Sequence, residues 1–151
     1  VQRNFSSPNS DQLFASVYTP YESSQATRSL DTTSTTPLQR AIQQYQKGAY
    51  ASALSLLAQN DHLRHDDQIL THFYLGLSYL ATEQIALAIP FFQQIIQDQE
   101  NLYVQQSKWY LSLCYLKQGK PAESKILLQE ITNRTQAGKY FHLAKELLSQ
   151  L

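Results

Sequence analysis

The sequence predicts an all-α protein built from stacked helical hairpins. From Pro37 onward, apolar residues recur with helical periodicity, and short polar or glycine-containing breaks divide the pattern into seven helices. Small residues also recur at a nearly constant interval, with large apolar residues around them. The length of 151 residues fits one domain with a single hydrophobic core.

The interval is set by small residues at equivalent positions of successive hairpins. Ala41, Gly76 and Ser112 are 35 (76 − 41) and 36 (112 − 76) residues apart, and Ala144 follows after 32 (144 − 112). A missing side chain lets two helix backbones approach closely, so each small residue marks a predicted helix crossing. The same alignment stacks small residues in the second helices, namely Ala53, Ala88 and Ser124. Such spacing is typical of a helical solenoid.

The first 36 residues differ from the rest, being rich in Ser, Thr, Asn and Gln and interrupted by Pro8 and Pro20. We call residues 1–36 the arm. It contains one short amphipathic helix near residues 10–18, with Ser10 as a possible cap. The apolar face of this helix consists of Leu13, Phe14, Val17 and Tyr18. This face needs a covering surface.

The remainder, residues 37–151, divides into predicted repeats at about 37–66, 67–100 and 102–134, followed by a capping helix at 139–151. Two prolines test this division. Pro121 falls at the predicted start of a helix, where its missing N–H is tolerated. Pro90 falls inside a predicted helix, where it should kink the helix or weaken its first turn.

The hairpins resemble the tetratricopeptide repeat family. The resemblance rests on Leu75-Gly76 with Tyr79, Ala88 and Phe92, and again on Leu111-Ser112, Tyr115, Gly119, Ser124 and Leu128. A weaker match in the first repeat extends it over residues 37–151. It implies a right-handed α-α superhelix of about three hairpins plus a capping helix, and it implies a protein or peptide partner.

In this family the first helix of each hairpin forms an inner wall that binds peptides. We call the residues that project there the predicted wall: Leu38, Ile42, Tyr45, Phe73, Leu77, Leu80, Trp109, Leu113 and Leu116. So large an apolar surface needs a cover in a soluble chain. The arm is one candidate cover, as a plug formed by Leu13, Phe14, Val17 and Tyr18 with Tyr21 following. The alternative is that the wall residues pack among themselves.

The composition argues against other partners. Twelve basic and twelve acidic residues give zero formal charge, which is not the pattern of a nucleic-acid or anionic-membrane binder. No apolar stretch approaches the roughly 20 residues that span a bilayer. The chain is also loosely similar to bacterial proteins whose repeats follow a single membrane helix, which implies an anchor upstream and a periplasmic location.

No catalytic motif, nucleotide-binding loop or cofactor site is present in the sequence, so we expect no enzyme and no cofactor. The metal-competent cluster Asp61, His62, His65, Asp66 and Asp67 lacks partner ligands elsewhere. We therefore interpret it as a solvated connector in which Asp66 or Asp67 caps the next helix, with no metal bound. Cys114 is interpreted as a buried small hydrophobe.

Two hypotheses for function remain open. In the first, the chain is an interaction module whose wall binds a short apolar peptide or helix and is occluded by its own arm. In the second, it is a structural spacer or scaffold in which the arm is a permanent part of the core.

Overall fold

A computed structural model of the chain describes residues 9–23, 36–59, 64–134 and 138–151. These residues form eight α-helices and no strand. The bounds are α1 Ser10–Val17, α2 Pro37–Gln46, α3 Tyr50–Leu57, α4 His65–Ala81, α5 Ile85–Gln97, α6 Val104–Lys117, α7 Pro121–Thr132 and α8 Lys139–Leu148. The predicted all-α class is confirmed, and α2 to α8 correspond to the seven predicted helices.

Side-chain caps define where the first two helices begin. The Asn9 side chain accepts a hydrogen bond from the Asp11 N–H, and the Gln12 side chain accepts one from the Asn9 N–H. Asn9, not Ser10, is therefore the cap of α1, and Ser10 is its first residue. Thr36 and Gln39 form the equivalent reciprocal pair at α2, where Pro37 occupies the first helical position.

The three hairpins turn at equivalent residues. Gly48, Glu83 and Gly119 have φ angles of 76°, 59° and 70°, and they are 35 (83 − 48) and 36 (119 − 83) residues apart. At each turn this residue's N–H bonds a carbonyl three residues back, and the next N–H bonds one five residues back. This is the Schellman arrangement, which ends a helix with a left-handed residue. The spacing of the small residues in the sequence is thus also the spacing of the turns between helices.

The prolines fall as predicted. Pro121 is the first residue of α7, where no intrahelical N–H bond is lost. Pro90 lies inside α5, which nevertheless runs from Ile85 to Gln97.

Neither Asp66 nor Asp67 caps α4, because both lie in its first turn after Arg64, which provides no side-chain cap. Their carboxylates instead lie near the positive end of the helix dipole.

The chain divides into two compact units. The central unit is Pro20–Ser107, which holds α2 to α5, and the composite unit combines Val1–Thr19 with Lys108–Leu151. The composite unit therefore contains α1, most of α6, α7 and α8. The division into an arm at 1–36 and repeats at 37–151 stays a prediction.

In the central unit, the crossing of α4 and α5 is built on Gly76. A Cβ atom at residue 76 would lie 2.9 Å from both Cε1 and Cζ of Phe92. Phe92 and Ala88 on α5 are fully buried. The ring of Phe92 therefore occupies the space that a side chain at residue 76 would need, which is why the two helices can pack closely.

In the composite unit, α7 and α8 pack through the buried residues Leu128, Ile131, Ala144 and Leu147. An ion pair of 2.7 Å between Lys108 and Glu130 links α6 to α7. None of the helices in the described ranges is long and apolar enough to span a membrane.

Gly76→Ala should destabilise the chain, although alanine is favoured over glycine by about 1 kcal/mol in an open helix position. The added Cβ meets the buried Phe92 ring, and overpacking of this kind costs roughly 1–3 kcal/mol. Urea unfolding measures the change. In a Phe92→Leu background the loss should shrink, and a stabilising Gly76→Ala in the wild type would contradict the crossing.

Glu83→Gly should stabilise the chain. Glu83 is the only described non-glycine residue with positive φ, and a left-handed conformation costs a side-chain-bearing residue roughly 1–2 kcal/mol. Part of this gain is offset by the greater freedom of glycine in the unfolded chain, so we expect a net gain of about 0.5–1 kcal/mol. Glu83→Ala is the control, since it keeps the strain, and it should give no such gain in thermal unfolding.

Candidate partner-binding surface

Most residues of the predicted wall are buried. Eight of its nine residues are buried, and Ile42 on α2 is half-buried. The buried members are Leu38 and Tyr45 on α2, Phe73, Leu77 and Leu80 on α4, and Trp109, Leu113 and Leu116 on α6. This burial fits both a covering arm and wall residues that pack among themselves. Their role as a binding surface stays a prediction.

In the central unit, the arm segment Pro20–Ser23 contacts the predicted wall directly. The Tyr21 N–H donates a hydrogen bond of 3.0 Å to the hydroxyl oxygen of Tyr45. The Tyr21 ring packs edge-on against Phe73, with centroids 4.9 Å apart and planes at 85°. Tyr21 thus has a polar contact with Tyr45 and an aromatic contact with Phe73, both wall residues, and its ring also lies 6.3 Å from that of Tyr74.

Phe73 is the centre of an aromatic cluster in the central unit. Its ring centroid lies 4.9 Å from those of Tyr21 and Tyr103, and 5.9 Å and 6.3 Å from those of Tyr74 and Phe92. Aromatic pairs in this distance range stabilise by about 0.5–1.5 kcal/mol beyond the area they bury. Residues from the arm, α4, α5 and the segment before α6 therefore meet on one ring.

The tyrosines of this cluster are held in their neutral form. Burial raises the pKa of Tyr74 well above its ordinary value, and the nearby Tyr21 and Tyr103 raise it further. A hydrogen bond from Ser23 acts in the opposite direction but does not reverse the shift. Burial likewise raises the pKa of Tyr21 and Tyr103. The arm segment contributes to this environment through Tyr21 and Ser23.

A pocket of about 560 Å³ adjoins the same segment in the central unit. One side is formed by Pro20–Ser23, and the other by the end of α2, the turn at Gly48 and the start of α3. Its volume falls within the range of small-ligand sites. The lining residues are Pro20, Tyr21, Glu22, Ser23, Tyr45, Gln46, Lys47, Gly48 and Tyr50.

In the composite unit, α1 and the residue pair after it lie along α6. The Lys117 ammonium is 3.5 Å from a carboxylate oxygen of Asp11 and 5.3 Å from the centroid of the Phe14 ring. The Tyr110 hydroxyl donates a hydrogen bond of 3.2 Å to the carbonyl of Thr19. Because position 11 meets 117 and position 19 meets 110, the segment runs antiparallel to α6.

The apolar face predicted for α1 divides in this arrangement. Leu13 is buried, at 3% exposure, while Phe14, Val17 and Tyr18 are half-buried. The rings of Phe14 and Tyr18 stack on each other, with centroids 5.0 Å apart and planes at 13°. Leu13 is therefore the residue that anchors the helix, whereas the two stacked aromatic rings are only partly covered.

Sequence reasoning missed four residues of these contacts: Tyr74, Tyr103, Tyr110 and Lys117. Tyr110 and Lys117 each follow a predicted wall residue, so the face of α6 that meets the arm is rotated by about one residue, or 100°, from Trp109 and Leu116. Tyr110 and Lys117 are seven residues apart, so they lie on the same face of the helix. This spacing could have identified them from the sequence.

The connector cluster is only partly described, since Asp61 and His62 lie outside the described residues. His65 forms an ion pair of 2.9 Å with Asp98 at the end of α5. In the described ranges, no three His, Cys, Asp or Glu side chains are grouped to hold a metal ion. Cys114 is fully buried, and burial raises the pKa of its thiol to about 12, so the thiolate nucleophile is suppressed.

The α4–α5 hairpin carries the family signature. Residues 71–101 match the family model of the tetratricopeptide repeat. This hairpin of the chain is therefore similar to a tetratricopeptide repeat. The matched residues include Gly76, Tyr79, Ala88 and Phe92, on which the resemblance in the sequence rested, so that prediction is confirmed. A search of curated proteins found no match. A tetratricopeptide repeat supports a role in protein interaction or scaffolding.

Raising the pH above 10 should destabilise the wild type more steeply than Tyr74→Phe. The unfolded chain loses the Tyr74 proton near its ordinary pKa of 10.0, while the folded chain keeps it to higher pH. The unfolded state therefore binds fewer protons in this window, and the free energy of unfolding falls as pH rises. Urea unfolding between pH 9 and about 11 measures both slopes, and identical slopes would contradict the buried environment of this phenol.

Proposed function

We propose that the chain is a protein-interaction module that binds a short apolar peptide or helix on the first helices of its hairpins. Its own arm occupies that surface and must leave before a partner binds. The observation that carries the proposal is the position of Tyr21, whose ring packs on Phe73 and whose N–H bonds Tyr45. Both contacted residues belong to the predicted wall.

The contacts of α1 support a cover that can be displaced. An α-helix of eight residues is marginal without tertiary packing. Only Leu13 of α1 is buried, and the Lys117–Asp11 pair is more than half exposed on the Asp11 side. Exposed ion pairs of this kind contribute about 0–1 kcal/mol. The burial of Leu13, which contributes about 1.5–3 kcal/mol, is therefore the main contact of α1 that a partner with a longer apolar helix has to replace.

The contacts of Tyr21 favour the alternative, a scaffold in which the arm is permanent core. Tyr21 contacts Phe73 and Tyr74, and its backbone bonds Tyr45. Tyr21 is half-buried, so removing its side chain removes these ring contacts, and each aromatic pair contributes about 0.5–1.5 kcal/mol beyond its buried area. The two candidates thus differ in one measurable property, namely whether the arm exchanges while the rest of the chain stays folded.

The experiment cuts the covalent link between the arm and the rest of the chain while the arm is still bound. A protease site is inserted between Ser23 and Thr36, the folded chain is cut, and a fluorescent peptide with the sequence of residues 9–23 is added. An interaction module should exchange its own arm for the labelled peptide while its helical circular dichroism is unchanged. Fluorescence of Trp109, the single tryptophan, and the reactivity of Cys114 report on the composite unit. Cys114 lies on the face of α6 shared by Tyr110 and Lys117.

Two peptide variants give a matched control. Tyr21→Ala in the labelled peptide should weaken its binding at least tenfold, whereas Glu22→Ala, at the neighbouring exposed position, should change it less than threefold. Loss of helical signal on cutting would favour the scaffold. A cut chain that remains folded but never takes up the peptide would also overturn the displaceable cover.

A further inference from the structure

Tyr45, near the end of α2 in the central unit, contacts the backbone of the arm. Its hydroxyl oxygen accepts a hydrogen bond of 3.0 Å from the Tyr21 N–H. The ring of Tyr45 is buried, and its centroid lies 5.2 Å from those of both Tyr50 and Tyr74. These ring contacts hold the hydroxyl of Tyr45 at a defined position, where it receives an N–H group of the segment that binds there.

A backbone N–H is available for such a bond only outside the body of a helix. Inside an α-helix each N–H bonds the carbonyl four residues back, and only the first four N–H groups lack such a partner. Tyr21 lies outside any helix, after the end of α1 at Val17. Pro20 has no N–H itself and disfavours a helical conformation in the residue before it. The hydroxyl of Tyr45 thus bonds a donor that the interior of a helix does not offer.

The side chain of Tyr21 adds a second requirement, for an aromatic ring. Its centroid lies 4.9 Å from that of Phe73 and 6.3 Å from that of Tyr74, with planes at 85° and 78°. Edge-to-face pairs of this kind depend on the charge distribution of two rings, which an aliphatic side chain does not have. One residue therefore supplies both the N–H for Tyr45 and the ring for Phe73.

The residue after Tyr21 meets no comparable restriction. Glu22 is exposed, and it borders the pocket of about 560 Å³ that extends to the turn at Gly48. A side chain of a different size has space at this position. The contacts that can discriminate between partner segments in the central unit therefore converge on Tyr21.

We propose that the central unit selects a partner segment that is not helical and that carries an aromatic residue whose N–H is not bonded within the segment. This inference rests on the proposed function and makes it more specific, since of a peptide or a helix the central unit takes the peptide. Tyr45 is the residue that determines this specificity, because its hydroxyl accepts the N–H, while Phe73 and Tyr74 contact the ring. Proline cannot replace the aromatic residue, because it has no N–H.

The cut chain and the labelled peptide of residues 9–23 provide the assay. An ester in place of the amide between Pro20 and Tyr21 removes the N–H and keeps every side chain. It should weaken binding roughly threefold or more, as expected for the loss of one hydrogen bond. An ester between Tyr21 and Glu22 is the matched control, because the Glu22 N–H has no hydrogen-bond partner among the described residues.

Tyr45→Phe in the cut chain completes a double-mutant cycle. This substitution removes the acceptor and keeps the ring that contacts Tyr50 and Tyr74. It should weaken binding of the parent peptide about as much as the Tyr21 ester does, and the ester should then cause no further loss. Circular dichroism checks that the variant is folded. Two losses that simply add would show that the Tyr45 hydroxyl does not bind this N–H, and the inference would be wrong.

Two further peptides test the other requirements. Tyr21→Leu removes the ring, and it should weaken binding roughly threefold or more. A peptide with Pro20→Ala and a hydrocarbon staple that keeps residues 16–23 helical retains the ring but bonds the N–H of residue 21 internally, so it should also bind more weakly than the parent. Binding of either peptide as tight as that of the parent would overturn the inference.

The outcomes separate this inference from the proposed function. Uptake of the parent peptide that is insensitive to the Tyr21 ester would overturn the inference and leave the interaction module intact. A folded cut chain that never takes up the parent peptide would overturn the proposed function, and the inference with it.

Discussion

The close approach of α4 and α5 at Gly76 is the constraint on which the central unit depends. Because residue 76 has no side chain, Phe92 can lie fully buried against the α4 backbone, within 2.9 Å of where a Cβ would stand. Phe92 in turn contacts Phe73, whose other neighbours include Tyr21 of the arm. The missing side chain at a helix crossing is therefore connected, through the rings of Phe92 and Phe73, to Tyr21 of the arm.

The arm is held differently in the two units, and the difference bears on how it would be released. In the composite unit the arm buries Leu13, and its polar contacts include an exposed ion pair, a cation over a ring and a hydrogen bond to a backbone carbonyl. In the central unit the ring of Tyr21 packs against Phe73, and burial raises the pKa of the Tyr21 and Tyr74 phenols. Contacts of the first kind are weak in water and those of the second kind are not. Under the proposed function, the exposed polar contacts of α1 would therefore break before the aromatic contacts of Tyr21.

The fold was predictable from sequence wherever a residue type has one structural use. Gly48 and Gly119 mark turns because glycine tolerates positive φ, and Gly76 marks a crossing because it lacks a side chain. Glu83 has the same positive φ, but a glutamate in the sequence does not indicate this conformation. Asn9 was missed as a cap although Gln12, three residues later, completes a capping box. The contacts of the arm were harder to predict, because periodicity identifies a helix face only to within about one residue, and Tyr110 and Lys117 lie one position beyond the predicted wall.

Net charge is a poor guide to partners when a chain contains more than one unit. The balance of twelve basic and twelve acidic residues argues against polyanionic partners only if the charges are mixed over the surface. Here they are divided, and the attraction felt by a partner depends on the unit it approaches, because screening limits each field to about 10 Å at 0.1 M salt. The sum over the chain therefore says little about partners, because the sequence of the central unit has four basic and eight acidic residues and that of the composite unit has eight basic and four acidic ones.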